Sequence, residues 1–115
     1  MSIVRIEPGR RMSGAVVYRD TVYLAGHVSK EPAGNVKGQT EAILRRIDAR
    51  LAEAGTDKSK LLSANVWLAD ISTFEQMNAA WDAWVDTENP PARATVEARL
   101  ASPEYLVEIA VIAAR

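Results

Sequence analysis

The sequence predicts an α+β fold, one domain over residues 1–115, with elements in the order β-β-β-α-β-α-β-β and two helices on one face of a mostly antiparallel sheet. Three observations carry this. β-rich runs ("SIVRI", "SGAVVY", "TVYLAG") open the chain and an apolar run ("YLVEIAVIAA") closes it, two stretches between them show helical spacing, and no linker, repeat or low-complexity tract divides the whole. A chain of 115 residues buries roughly two-thirds of the surface its unfolded form exposes, which is enough for one core.

"SIVRI" reads as a short strand, and "SGAVVY" and "TVYLAG" as a hairpin joined at Arg19-Asp20. "EPAGNVKG", with Pro32, Gly34, Asn35 and Gly38, is the clearest loop cluster. From Gln39 to Ala54, Ile43, Leu44, Ile47, Leu51 and Ala54 recur at three- and four-residue spacing among charged residues, so one amphipathic helix is expected there with Gly55 ending it. "LLSANVWLA" alternates Leu62, Ala64, Val66 and Leu68 against Ser63, Asn65 and Trp67, the pattern of a strand. Ser72-Thr73-Phe74-Glu75 has the spacing of a capping box, and a second helix follows with Phe74, Met77, Trp81, Trp84 and Val85 as its apolar stripe. Asn89-Pro90-Pro91 stops that helix before "NPPARATVEARL". There Ala92, Ala94, Val96, Ala98 and Leu100 alternate with Arg93, Thr95, Glu97 and Arg99, and the apolar set is expected to face the core. The helices cover only one sheet face. Three tryptophans and a last strand apolar on both faces favour a second subunit over the other.

Composition narrows the chemistry. The chain is 48% hydrophobic and 25% charged, an ordinary balance for a soluble globular protein, and no apolar run approaches the roughly 20 residues of a membrane helix. "MSIVRIEPGRR" lacks the apolar stretch of a secretory signal, so a cytoplasmic location is expected. Without cysteine there is no disulfide, thiolate nucleophile or Cys-bound metal, and one histidine cannot form a multi-histidine site; no metal is expected. A net charge of −1 with scattered basic residues argues against nucleic-acid binding.

Glu108 is the only charged residue between Glu104 and Arg115, flanked by Val107 and Ile109. Desolvation would raise its pKa and a nearby guanidinium would lower it; the sequence leaves both open. Arg93 is the natural partner if their strands adjoin, either as a structural ion pair or as an anion-binding fork of donors. His27, after Gly26 at a strand end, reads as a surface or hydrogen-bonded residue rather than a base. Asn78 reads as a solvated helix residue, and Trp67, Trp81 and Trp84 as core or interface residues. No serine has an evident base. What remains is anion capture by an arginine coupled to acid–base work on water by a glutamate.

"PPARATVE" followed by "VEIAVIAA" and preceded by "VWLADISTFEQMNAAWDAW" resembles the Rid family, also called the YjgF or L-PSP family, over essentially the whole chain. The resemblance implies a chorismate-mutase-like subunit, a homotrimer with ligand sites in clefts between neighbouring subunits, and hydrolysis of 2-imino acids or their enamine tautomers to 2-keto acids and ammonia without a cofactor. By position, Arg93 matches the arginine that grips the substrate carboxylate and Glu108 the glutamate that positions the attacking water. Thr95, Gly26 and Asn78 match a small cleft residue, a glycine whose backbone lines the site and an asparagine that shapes the pocket. Where the best-known members read Gly-Pro-Tyr-Ser-Gln and Ser-Gly-Gln, this chain reads "RRMSG" and "AGH". Met12 and Ala25 therefore each remove a hydroxyl, and the pocket becomes less polar. The shortened "VEARLASP" gives Arg99 no family counterpart.

The first functional expectation is thus an imine/enamine deaminase acting on small 2-imino carboxylates. A non-catalytic trimeric module that binds small carboxylates is the alternative, and a ribonuclease or translation inhibitor stands third because of the charge balance.

Overall fold

The computed structural model describes residues 2–115. Seven strands form one sheet: β1 (Ile3–Ile6), β2 (Ala15–Tyr18), β3 (Thr21–Leu24), β4 (His27–Val28), β5 (Leu61–Leu68), β6 (Ala92–Glu97) and β7 (Val107–Ala114). Helices α1 (Val36–Glu53) and α2 (Phe74–Trp84) are the two expected. The sheet runs β1-β2-β3-β7-β5-β6, with β4 also on β7, and only the β5–β6 pair is parallel. That parallel pair follows from the intervening α2, which carries the chain back along the helix layer.

One face of the sheet packs on the helices. Val22, Ala64, Val66, Leu68, Val107, Ile109, Val111 and Ala113 meet Ile43, Leu44, Ile47, Leu51, Met77 and Trp81 there, all buried. The hairpin turns at Arg19-Asp20 as the sequence indicates, with Tyr18 opposite Thr21. Gly55 takes a φ of +82° and ends α1, its N–H reaching the Ala52 carbonyl and that of Thr56 the Leu51 carbonyl, the paired bonds of a Schellman cap. Among the described residues, no helix is long and apolar enough to cross a membrane.

Several expectations are corrected. α1 begins at Val36, earlier than the apolar spacing indicates, because the Asn35 side chain accepts the Gly38 N–H at 2.8 Å and caps the helix inside the loop cluster. The Ser72–Glu75 capping box does not form. Asp70 accepts the Ser72 amide and hydroxyl instead, closing a 3₁₀ turn over residues 71–73 that feeds α2. α2 ends at Trp84, ahead of the prolines, where Val85 is already extended. β4, a two-residue strand the sequence does not announce, holds His27 opposite Ile109 and Val28 opposite Glu108. A bulge between Leu61 and Ser63 turns Leu61 into the core and leaves Leu62 half exposed. The last strand, by contrast, has no exposed residue, as its apolar faces indicate: Val107, Ile109, Val111 and Ala113 are buried and Glu108, Ala110, Ile112 and Ala114 partly covered.

β6 reverses the expectation most directly. It stops at Glu97, and its Ala92, Ala94 and Val96 are exposed, whereas Arg93 and Thr95 face the helix layer opposite buried Ala64 and Val66.

Candidate active site

Arg93 sits on the edge strand with its guanidinium over two rings of α2, 5.1 Å from the centre of Trp81 and 5.7 Å from that of Phe74. Its Nη1 lies 3.9 Å from the Met77 sulfur. Phe74, Met77 and Trp81 recur at spacings of three and four, so one helix face supplies the whole platform. Arg93 makes no ion pair among the described residues. Burial lowers its pKa from the ordinary value, opposed by the charge of Asp82, and a guanidinium so held keeps its proton. A half-buried cation with aromatic faces beneath it and no carboxylate on its fork is a site for a planar anion. Two residues along the strand, the Thr95 hydroxyl is buried without a hydrogen-bond partner. Asn78, next to Met77, is half-buried.

Glu108 lies elsewhere. In β7 it neighbours Trp67 of β5 and Val28 of β4, on the sheet face the helices leave uncovered. The ion pair with Arg93 considered from the sequence is therefore absent: β5 separates their strands, and the two side chains project from opposite faces. The Glu108 carboxylate rests on Gly26, where a side-chain carbon would fall 2.1 Å from Oε2. A side chain at position 26 would displace the carboxylate from this place.

Gly26 and Ala25 also border a cleft of about 480 Å³ between the β1–β2 connection, the β3–β4 turn and α1, lined further by Met12, His27, Arg46 and Arg50. Met12 is 62% exposed at its rim, an apolar side chain with no core to fill. Gly14 leaves room for Arg50, whose guanidinium binds Glu7 at 3.0 Å and Glu53 at 3.2 Å and so ties the β1–β2 connection to α1. His27 donates Nδ1–H to the Ala25 carbonyl at 2.8 Å. Among the described residues no cluster of His, Asp or Glu is placed to hold a metal ion.

The sequence-derived residues thus form two separate groups. Arg93, Thr95 and Asn78 lie with α2 at one edge of the sheet; Met12, Ala25, Gly26 and Glu108 lie around the β3–β4 turn. The ring platform under Arg93 and the hydrogen bond of His27 were not assigned to the site by sequence. The first had a signal in the spacing of Phe74, Met77 and Trp81, which also fits a plain core stripe; the second agrees with the reading of His27 as a hydrogen-bonded residue, although nothing in the sequence named Ala25 as its partner.

Comparison with known proteins places this chain among well-populated relatives. The family model described as Endoribonuclease L-PSP matches residues 2–115. A RutC family protein of Haemophilus influenzae is 45% identical over 114 residues, covering 98% of each chain. The RutC family protein YoaB of Escherichia coli K12 is 43% identical over 114 residues, covering 99% of each. The crystal structure of NMB1025, a YjgF family member from Neisseria meningitidis, superposes with a TM-score of 0.96 at 42% identity, covering 100% of this chain and 96% of that one.

Proposed function

The chain belongs to the RutC/YjgF/L-PSP family, and from that premise we propose that it hydrolyses reactive 2-imino acids and their enamine tautomers to 2-keto acids and ammonia. The observation that carries the reading is the division of the site: an arginine without a carboxylate partner on one sheet face, and a glutamate packed on glycine on the other. Each group lacks what the other supplies. They meet when the Arg93 edge of one copy approaches the β3–β4 turn of the next, as in the homotrimer that the family resemblance implies, and the exposed Ala94, Val96 and Tyr23 support such an approach.

In this reading Arg93 holds the imino-acid carboxylate with two parallel N–H donors. Glu108 accepts a proton from water as that water adds to the imine carbon and passes it to the imine nitrogen, giving a carbinolamine; the carbinolamine hydroxyl proton then moves through Glu108 to the amino group, the C–N bond breaks as C=O forms, and ammonia leaves. Such imines hydrolyse unaided, so a site that orders one water against one anchored substrate suffices. Met12 and Ala25 at the mouth favour an apolar substrate side chain.

The test generates 2-iminopropanoate in situ from alanine with an amino-acid oxidase and follows pyruvate release with and without the protein. Faster release is expected. An unchanged rate, with pyruvate still bound, would instead favour the small-carboxylate-binding module.

A further inference from the structure

We propose that His27 is a positioning residue that aims the Gly26 N–H into the ligand site, a role resting on the reading above for the identity of the ligand. The Ala25–Gly26 peptide is planar and trans, so its C=O and N–H point in opposite directions. Fixing one fixes the other. The Ala25 carbonyl is fixed by the His27 ring at 2.8 Å, and the amide of the same residue donates to the Gly14 carbonyl at 3.0 Å, so Ala25 is held on both sides.

His27 pairs with Ile109, a fully buried residue of the helix-facing sheet surface, and so draws the carbonyl toward that side. Gly26 faces the other way, against the Glu108 carboxylate. Its N–H makes no hydrogen bond among the described residues. An unengaged backbone donor beside the carboxylate that would order the water is suited to a ligand oxygen carrying partial negative charge. Without the His27 bond the peptide can rotate, and this donor turns away while Glu108 stays in place.

The bond demands a particular tautomer. A carbonyl only accepts, so Nδ1 carries the proton and, in the neutral ring, Nε2 is bare. Asparagine places an N–H donor at nearly the same distance from the backbone as Nδ1, which makes His27→Asn the conservative replacement and His27→Ala the deletion.

Three readouts on the full chain test this. Two-bond ¹H–¹⁵N spectra of the free wild-type protein near pH 7.5 should show Nδ1 protonated; an Nε2–H tautomer overturns the proposal without reference to any activity. Pyruvate titration followed at the Gly26 amide, together with imine kcat/KM, should show His27→Ala weakened by roughly tenfold in both, the size of one hydrogen bond to a charged ligand. His27→Asn should recover most of the loss at similar Tm. Unchanged affinity in His27→Ala, or a loss that His27→Asn does not recover, overturns the proposal; if His27→Ala does not fold, His27→Asn with wild-type affinity supports it and with the full loss overturns it. Wild-type protein whose Gly26 amide responds to pyruvate but which hydrolyses no imine contradicts the deaminase reading alone, and protein that does neither contradicts both.

Discussion

Arg93 retains its charge at a half-buried position because the faces of Trp81 and Phe74 replace part of the water it has lost, a contact worth about 0.5–2 kcal/mol. Among the described residues no carboxylate occupies its fork, so an arriving anion meets donors already in place. Arg93→Ala should therefore weaken pyruvate binding by roughly ten- to a hundredfold, and Arg93→Lys should restore little of it, because a point charge does not reproduce two parallel donors. Glu108→Gln should keep pyruvate affinity and lower imine kcat by roughly 10²–10⁴-fold, since the amide retains the shape but accepts a proton poorly. Calorimetry and steady-state kinetics on the three variants check this. Equal effects of Arg93→Ala and Glu108→Gln on affinity would contradict the division of roles.

His27 makes a second prediction at the same scale. Burial lowers its pKa from the ordinary value near 6.5; the bond to Ala25 opposes this, and the charges of Arg50 and Arg46 add to the lowering. Below pH 6.5 the unfolded chain takes up the proton before the native ring does. Stability should thus fall as pH drops from about 6.5 toward the lower native pKa and level off beneath it. Thermal melts between pH 7 and pH 5 should show a decline in Tm that is shallower in His27→Asn. Parallel declines would remove His27 as the cause.

At the scale of elements, Gln39 holds two loops together. It is fully buried on α1, and its side chain donates to the Pro32 and Glu104 carbonyls at 3.2 and 3.1 Å and accepts the Leu106 N–H at 3.0 Å. Gln39→Leu strands the Glu104 carbonyl and the Leu106 N–H and should cost about 1–3 kcal/mol in urea unfolding, with the m-value unchanged. A smaller loss would mean that water reaches them. Gln39, Ile43, Ile47 and Leu51 are spaced by four, so its place on the buried face was legible in the sequence, whereas its partners 65 residues away were not.

The strands show the same division. Alternation in "PARATVE" announced two unlike faces, yet which face lies inward depends on what covers each. The methylenes of Arg93 lie under α2, and small Ala92 and Ala94 are left on the open side. β4 was hidden because two residues carry no period. The failed capping box is local competition: Asp70, two residues before Ser72, already occupies the serine hydroxyl and amide. Of the site, the residues matched by resemblance were legible. Their separation onto opposite faces was not, since strand order is fixed by pairings distant in sequence.

As a whole the molecule is a slab with extents of 43 × 37 × 20 Å, two layers deep, and one broad sheet face has no third layer over it. Tyr23 and Val96, 45% and 50% exposed, lie on that face with the partly covered Trp67 and Ile112. A homotrimer would cover it and bring each Arg93 edge to a neighbouring β3–β4 turn. Light scattering should then give three times the 12.6 kDa chain mass. Val96→Asp, at an exposed position on the uncovered sheet face, should leave the circular dichroism spectrum native and reduce that mass by introducing a charge into an apolar contact. Unchanged mass in this variant would place the interface elsewhere.

The shared site itself is tested most directly by subunit complementation. Arg93→Ala and Glu108→Gln proteins, each inactive alone, are dissociated together in denaturant, allowed to reassemble at equal concentration, and assayed for imine hydrolysis. If neighbouring copies supply the two groups, random pairing leaves about one site in four with both intact, so about a quarter of wild-type activity should return. A mixture as inactive as its parents, though reassembled to full mass, would show that both groups act within one chain or that neither assignment holds.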